Sequence, residues 1–341
     1  MNQPNVLITG GNGFLGKAIV KEFLDNDSPL RPGSLTVFDI KDTGSKVDGV
    51  EYVQGDILDY NLLLEALQGK DIVIHSAAIV DWGTKSDKEV LDVNLEGTKN
   101  VIRACRESGV KYLIFTGSVD AVFGGKPLIN VDESHPYPEK HSNSYCTSKY
   151  LAEKLILEEN DDVLKTCVLR GSDIYGEDDP YHISSLINMA KGGFYVRLGN
   201  GKTRCQHIYV GNAGYAHVLA AAAMWNGNEK VCGQVYFMTD GPGSNFFKFF
   251  DRIVEGAGYR IWPKNLWLPR GFAYAIGSIS EFIAWMVRPV KSYQPKFSRF
   301  AVVYTCTDIT YSSEKARKDF GFVPKYSEEE GVERTAEHYK I

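Results

Sequence analysis

Tyr145 and Lys149 stand four residues apart at the start of a helical pattern that continues through Leu151, Ala152, Leu155 and Leu157. Residues at i and i+4 share one helix face, so both side chains can reach one bound ligand. A phenol with an ordinary pKa of about 10 is a poor base at neutral pH, and a neighbouring ammonium favours its phenolate. Lys149 would supply that charge. Ser118 adds a hydroxyl, because it ends the β-rich run Tyr112-Leu113-Ile114-Phe115-Thr116-Gly117-Ser118. A residue just past the carboxyl end of a core strand faces the crevice where ligands bind in open α/β sheets. An acid/base, a cation to tune it and a hydroxyl to hold an oxygen are therefore expected in one place.

The elements that must carry these groups begin with the strand Asn5-Val6-Leu7-Ile8-Thr9, which runs into Gly10-Gly11-Asn12-Gly13-Phe14-Leu15-Gly16 and an amphipathic helix. Glycines at 10, 11, 13 and 16 fit both G-x-G-x-x-G and G-x-x-G-x-x-G, and the strand-turn-helix context turns a weak motif into a dinucleotide site. Backbone N–H groups of such a turn approach a pyrophosphate at the positive end of the helix. Asp39 follows a second β-rich run, Leu35-Thr36-Val37-Phe38, where a carboxylate accepts from the adenosine ribose hydroxyls and repels a 2′-phosphate. NAD is expected over NADP.

Further apolar runs at Asp71 to His75, Tyr112 to Thr116 and Thr166 to Leu169 alternate with helix-period stretches such as Val90 to Ala104. Strands without polar alternation, interleaved with helices, predict a parallel sheet buried on both faces: an α/β, doubly wound Rossmann domain over residues 1–175. Past that point Pro, Gly and aromatic residues scatter among shorter helices and isolated strands such as Val235 to Met238. A smaller substrate lobe is expected over 176–341, with segments around 205–225 returning to the first domain.

Composition narrows the function classes. With 43% hydrophobic and 24% charged residues in 341, the chain is not a disordered scaffold, and a net charge of -5 offers no basic field for nucleic acid. Six cysteines without a C-x-x-C pair read as reduced thiols, and no H-E-x-x-H or comparable spacing suggests a metal, so none is expected. His207 and His217 read as packing or helix-face residues rather than ligands. Met1-Asn2-Gln3-Pro4 lacks the regions of a secretory signal, so a cytoplasmic location is expected. Phe272, Ile276, Ile279, Ile283, Met286 and Val290 recur at helical spacing opposite Ser278, Glu281 and Arg288. That helix is too interrupted to span a bilayer; it either packs in the core of the second lobe or lies peripherally on a membrane.

The chain resembles the extended short-chain dehydrogenase/reductases, and within them the 3β-hydroxysteroid dehydrogenase family. The resemblance covers nearly the whole chain and is carried by Thr9 to Gly16, Gly55-Asp56-Ile57, His75 to Ala78, Val93 to Val101, Thr116 to Ser118, Tyr145 to Lys149 and His207 to Ala213. The sterol-4α-carboxylate 3-dehydrogenases are the nearest branch, through Phe38 to Ile40, Gly97 to Ile102, Ser118 to Gly125 and Pro295 to Tyr311. The resemblance implies Tyr145 as acid/base, Lys149 on the nicotinamide ribose and Ser118 on the reacting oxygen. It also implies NAD held by Gly10, Gly13, Phe14, Leu15 and Gly16, with Asp56 and Ile57 near the adenine. Ala77, Ala78 and Asn94 would lie along the cofactor, and Ser172 on the nicotinamide side. The chain departs from the pattern at Gly117, where the family usually has a small hydroxyl residue, and at Gly171, where it has proline after the arginine.

The expected activity is NAD-dependent oxidation of a 3β-hydroxyl on a sterol-like small molecule, with loss of a 4-carboxylate as carbon dioxide, by a homodimer. A non-decarboxylating 3β-hydroxysteroid dehydrogenase, a nucleotide-sugar epimerase or dehydratase, and a non-catalytic NAD-sensing protein are the alternatives.

Overall fold

The structure, a computed structural model, describes residues 3–42, 44, 46–81, 85–287 and 298–341. Its first part runs β1 (Asn5–Thr9), α1 (Phe14–Leu24), β2 (Ser34–Asp39), β3 (Val50–Gln54), α2 (Tyr60–Ala66), β4 (Ile72–His75), α3 (Asp87–Leu91), α4 (Gly97–Glu107) and β5 (Tyr112–Ser118). Next come β6 (Leu128–Val131), α5 (Ser144–Glu158), β7 (Lys165–Gly171), β8 (Asp173–Tyr175), α6 (Ile183–Lys191), β9 (Arg197–Leu198), β10 (His207–Tyr209) and α7 (Val210–Trp225). The remainder is β11 (Gln234–Met238), α8 (Phe246–Gly256), β12 (Trp267–Leu268), α9 (Arg270–Val287), α10 (Arg299–Thr305), β13 (Ile309–Tyr311), α11 (Glu314–Phe320) and α12 (Glu328–His338).

Seven strands form one parallel sheet in the order β11-β7-β5-β4-β1-β2-β3. Its connections reverse direction between β1 and β4, which opens the crevice where doubly wound folds bind ligands. Both faces are buried. Val6 and Ile8 of β1 pack with Ile19, Val20 and Phe23 of α1 and with Ala213 and Val218 of α7. Leu7, one residue out of phase, packs with Val101 and Ile102 of α4 and Ile156 of α5 on the other face. Period-2 alternation thus feeds two apolar layers, which is why the strand has no polar side. Helices α1 and α7 approach so closely that a Cβ on Gly214 would lie 2.8 Å from the Ala18 backbone.

Three elements differ from the sequence reading. Gln234–Met238 is no isolated strand but the outermost strand of the main sheet, paired with β7 and burying Tyr236, Phe237 and Met238. Val50–Gln54, absent from the apolar runs read above, forms the opposite edge; its polar Glu51 and Gln54 are tolerated because an edge strand is only half covered. The helix expected over Val90 to Ala104 is broken by a π-helical turn at Asp92–Glu96, which carries Asn94.

The helix read as either core or membrane surface does not pack in the core. In α9 only Ala273 and Gly277 are buried, whereas Phe272 is 61% exposed, Ile279 58% and Trp285 66%; Ile276, Ile283 and Met286 are exposed too. Its polar strip turns inward, because Glu281 accepts from the Arg299 backbone N–H and Nε at 2.6 Å each and Gly277 lies against the Ser298–Arg299 backbone. Val290 and Arg288, and the Pro295 end of the resemblance, lie outside the described residues.

Candidate active site

The glycine-rich turn is built by close contacts that exclude side chains. Gly10 has φ +72°, in the left-handed region, and its N–H donates to the Phe38 carbonyl at 2.8 Å. A Cβ on Gly16 would sit 2.1 Å from the Gly10 carbonyl oxygen. Helix α1 starts behind Gly13 with no side-chain cap, so its first N–H groups stay available to an anion. Asp39 closes β2, buried, its Oδ2 accepting from the Asn12 N–H and its Oδ1 from the Lys41 N–H, both at 2.9 Å. Each oxygen keeps acceptor capacity for a ribose hydroxyl.

A cavity of about 650 Å³ runs along the carboxyl edge of the sheet, within the range of cofactor-sized pockets. Gly10, Gly13, Phe14, Leu15, Gly16 and Asp39 line it at the turn. Asp56 and Ile57 follow β3 into the same wall, and Ala77 and Ala78 follow β4. Ser118, Tyr145, Lys149 and Ser172 line it as well, so the chain brings fourteen of the fifteen residues read from sequence to one cavity. Asn94 is the exception. It is buried beside the cavity, where its Oδ1 accepts from the Ile79 N–H at 2.7 Å and its Nδ2 donates to the Ile79 carbonyl and Ser148 Oγ. It braces the loop after β4 and the helix that carries Tyr145.

Ser118, Tyr145 and Lys149 are positioned by β5 and α5. Asn143 caps α5 by accepting from the Cys146 N–H at 2.8 Å, and one turn on Lys149 Nζ donates to the Thr116 carbonyl at 3.0 Å. Thr116 is fixed in turn by His217: the His217 Nδ1 faces the Ala213 carbonyl at 2.7 Å and must carry the proton, leaving Nε2 to accept from the Thr116 hydroxyl at 2.9 Å. Burial pushes His217 down to about 4, so the ring is neutral at working pH. Arg170 and Glu153, both buried, pair through Nε–Oε2 at 2.9 Å and tie β7 to α5. The two departures from the family pattern sit in this packing. A Cβ on Gly117 would meet Val168 at 2.8 Å and Arg170 at 3.3 Å, and one on Gly171 would meet Ile174 at 3.2 Å.

Electrostatics differ from the simple expectation for Tyr145. Burial pushes its phenol well above the ordinary value, Asp120 adds to the rise and a hydrogen bond with Ser118 opposes it. Burial also brings Lys149 down to about 8, against Asp120 and Glu153, which favour its charge. Lys149 is held by the Thr116 carbonyl and sits 5.0 Å from the centre of the Phe115 ring, rather than acting on the phenol as the dominant charge.

Sequence reasoning missed a second set of lining residues: Asp120, Asp173, His182 and Tyr304. Burial raises Asp120 to about 6, with Asp173 adding and Ser118, Lys149 and His182 opposing. Burial would lower His182, but Asp173 and Asp179 outweigh it and carry it up to about 9. Only Asp120, two residues past Ser118, had a local signal. Asp173 and His182 come from one later stretch of the chain and Tyr304 from another, with no local spacing that joins either to Ser118.

The model of the 3-beta hydroxysteroid dehydrogenase/isomerase family matches residues 7–270. The chain is 33% identical to 3 beta-hydroxysteroid dehydrogenase type 7 of Mus musculus, over 96% of this chain and 94% of that protein. It is 31% identical to a decarboxylating sterol-4-alpha-carboxylate 3-dehydrogenase of Schizosaccharomyces pombe, over 97% and 96%. Among solved structures it shares its fold with a dTDP-glucose 4,6-dehydratase of Streptomyces venezuelae with NAD bound, at TM-score 0.75 and 18% identity over 98% and 96%. A glycine turn at the β1 crevice, a tyrosine and lysine on the helix after β5 and a family match across most of the chain agree: the chain belongs to the 3-beta hydroxysteroid dehydrogenase/isomerase family, oxidoreductases on the short-chain dehydrogenase/reductase fold.

Proposed function

We propose that the protein uses NAD to oxidise the 3β-hydroxyl of a sterol-like alcohol and that a carboxylate on the neighbouring carbon is lost as carbon dioxide. The observation that carries this reading is the meeting of Ser118, Tyr145 and Lys149 in a cavity whose other end is the glycine turn and Asp39. Ile79, Val80, Val119, Ile174 and Tyr304 add apolar surface suited to a fused-ring skeleton. Similarity to the decarboxylating dehydrogenase supports the second half of the reaction.

The cradle fits a dinucleotide: glycines where a Cβ would clash, an uncapped helix start and a carboxylate at the ribose position. When bound, the nicotinamide supplies the hydride acceptor. Tyr145 takes the hydroxyl proton as it passes on its own, Ser118 holds the oxygen, and Lys149, anchored on Thr116, reaches the nicotinamide ribose. Oxidation beside a carboxylate gives a β-keto acid, which loses carbon dioxide through its enol. NADH and carbon dioxide measured against 3β-hydroxysterols with and without a 4-carboxylate test the reading. Equal yields from the carboxysterol support it. Turnover of plain 3β-hydroxysteroids alone replaces it with the non-decarboxylating reaction, and turnover of nucleotide sugars alone overturns both.

Peripheral membrane contact is a second part of the proposal. Among the described residues no helix is long and apolar enough to cross a membrane. Helix α9 nevertheless exposes Phe272, Ile279, Phe282 and Trp285, and packs on α10, which carries the cavity-lining Tyr304. A sterol arriving from a bilayer would meet the protein on that side.

A further inference from the structure

Ser118 Oγ donates to Asp120 Oδ2 at 2.9 Å and accepts from the Asp120 backbone N–H at 3.1 Å. The turn that holds both, Val119–Ala121, is clamped by the buried side chains of Val119, Val122 and Phe123. As a cap for this turn Ser118 would need only the backbone bond, yet Asp120 lines the active cavity and its Oδ1 is buried without a hydrogen-bond partner among the described residues. A carboxylate desolvated in this way costs free energy that a purely structural role would recover with more donors.

The reaction proposed above leaves a proton to be placed. The 3β-hydroxyl gives up one proton and one hydride, while the neighbouring carbon, after losing its carboxylate, must gain one proton. Alcohol, carboxylate and NAD+ become ketone, carbon dioxide and NADH with no net proton released. Resting on that reading, we propose that Ser118 and Asp120 form a relay that carries the hydroxyl's proton to the carbon vacated by the carboxylate.

In the first stage the C3 hydride passes to NAD+ while three protons shift together: the substrate O–H proton to Tyr145 Oη, the Tyr145 proton to Ser118 Oγ and the Ser118 proton to Asp120 Oδ2. Tyr145 and Ser118 are neutral before and after the shift, as the buried phenol requires, and Asp120 is left as the acid. In the second stage the bond from C4 to the carboxylate breaks, carbon dioxide leaves and its electron pair becomes the enolate. C4 then takes the proton from Asp120, the C3 carbonyl reforms and Asp120 returns to carboxylate. The donor direction in the structure, Ser118 to Asp120, matches the direction required.

The surrounding groups select Asp120 for this task. It is faced by Tyr145, Cys146 and Lys149 from α5, by Asp173 and His182 across the cavity, and by Tyr304 and Tyr311. Burial raises it to about 6, so it can hold and release a proton near neutrality. Asp173 cannot, because burial, which would raise it, is outweighed by His182 and His207, and it stays ionised.

The test runs the full chain in D2O with NAD+ and a 3β-hydroxysterol bearing a 4α-carboxylate and one hydrogen on C4. NADH, carbon dioxide and the configuration of deuterium at C4 are measured for the wild type, Asp120→Asn and Asp120→Glu. The relay requires one configuration from the wild type, both in comparable amounts from Asp120→Asn, whose enol is deuterated from solvent, and recovery of one in Asp120→Glu. A merely structural Asp120 would change rates without mixing the configurations. A second measurement needs no variant: with a pH indicator in rapid mixing, the wild type should form NADH from the carboxysterol without transient proton release, whereas a plain 3β-hydroxysterol releases one proton per NADH. If carbon dioxide equals NADH but Asp120→Asn still gives one configuration, or a transient proton appears, the relay alone falls. If the wild type makes NADH and no carbon dioxide, the decarboxylating reading falls and takes the relay with it.

Discussion

Lys149 Nζ lies 3.0 Å from the backbone carbonyl of Thr116, two residues before Ser118 on the same strand. Helix α5 and strand β5 are thereby joined beside Tyr145 and Ser118, which line one cavity. Replacing Lys149 with Met removes a charge-assisted hydrogen bond and the proposed ribose contact together. Weaker NAD binding by calorimetry, alongside lower turnover, is the expected result.

Tyr145→Phe keeps the ring and loses only the hydroxyl proposed as the acid/base, so the melting temperature and NAD affinity should hold while turnover falls by about 10² to 10⁴. Near-normal turnover in this variant would remove Tyr145 from the chemistry.

Asp39 already accepts two backbone N–H groups at 2.9 Å, which aims its carboxylate before any ligand arrives. Asp39→Ala should raise KM for NAD and narrow its preference over NADP, because ribose acceptance and phosphate repulsion vanish together. Equal use of both cofactors by the wild type would contradict the assignment.

At Gly16 the limit is steric. A methyl group 2.1 Å from the Gly10 oxygen cannot be accommodated without moving the turn, so Gly16→Ala should abolish NAD-induced stabilisation and lower the melting temperature. Gly109→Ala serves as the comparison, since a Cβ there meets nothing and only its positive φ of 73° opposes it.

His182 sets a pH dependence of stability. Its pKa rises from 6.5 to about 9 on folding, with Asp173 and Asp179 outweighing burial. A histidine raised in this way stabilises the fold fully below its unfolded pKa, and the contribution is lost as pH climbs through the folded one. The melting-temperature gap between wild type and His182→Gln should therefore be widest below pH 6.5 and shrink toward pH 9. A gap independent of pH would show that the ring acts by packing alone.

Phe282 and Trp285 stack on the outer face of α9, their ring centroids 5.8 Å apart. Changing both to Ser should reduce co-sedimentation with liposomes and leave the melting temperature nearly unchanged, since neither is buried. Unchanged sedimentation would remove the membrane contact.

Local patterns made much of this protein legible. The glycine turn and the unbroken apolar runs of β1, β4, β5 and β7 are enforced by neighbours in the chain, and the i, i+4 pair Tyr145 and Lys149 needs only a helix. Edge strands were harder. The polar residues of β3 weaken its signal, and β11 carries a strand pattern but nothing that names its partner β7, some 60 residues earlier.

The sequence by itself determined the doubly wound sheet, the glycine turn and the helix face that Tyr145 and Lys149 share, because each follows from periodicity or from a turn that only glycine can make. Tertiary structure alone decided that Asp120, Asp173, His182 and Tyr304 share their cavity, that Thr116 and His217 hold Lys149, and that α9 turns its apolar face outward. Those outcomes depend on contacts between segments tens to more than a hundred residues apart. Helical spacing shows that α9 has an apolar face, but only packing against α10 decides which face is covered.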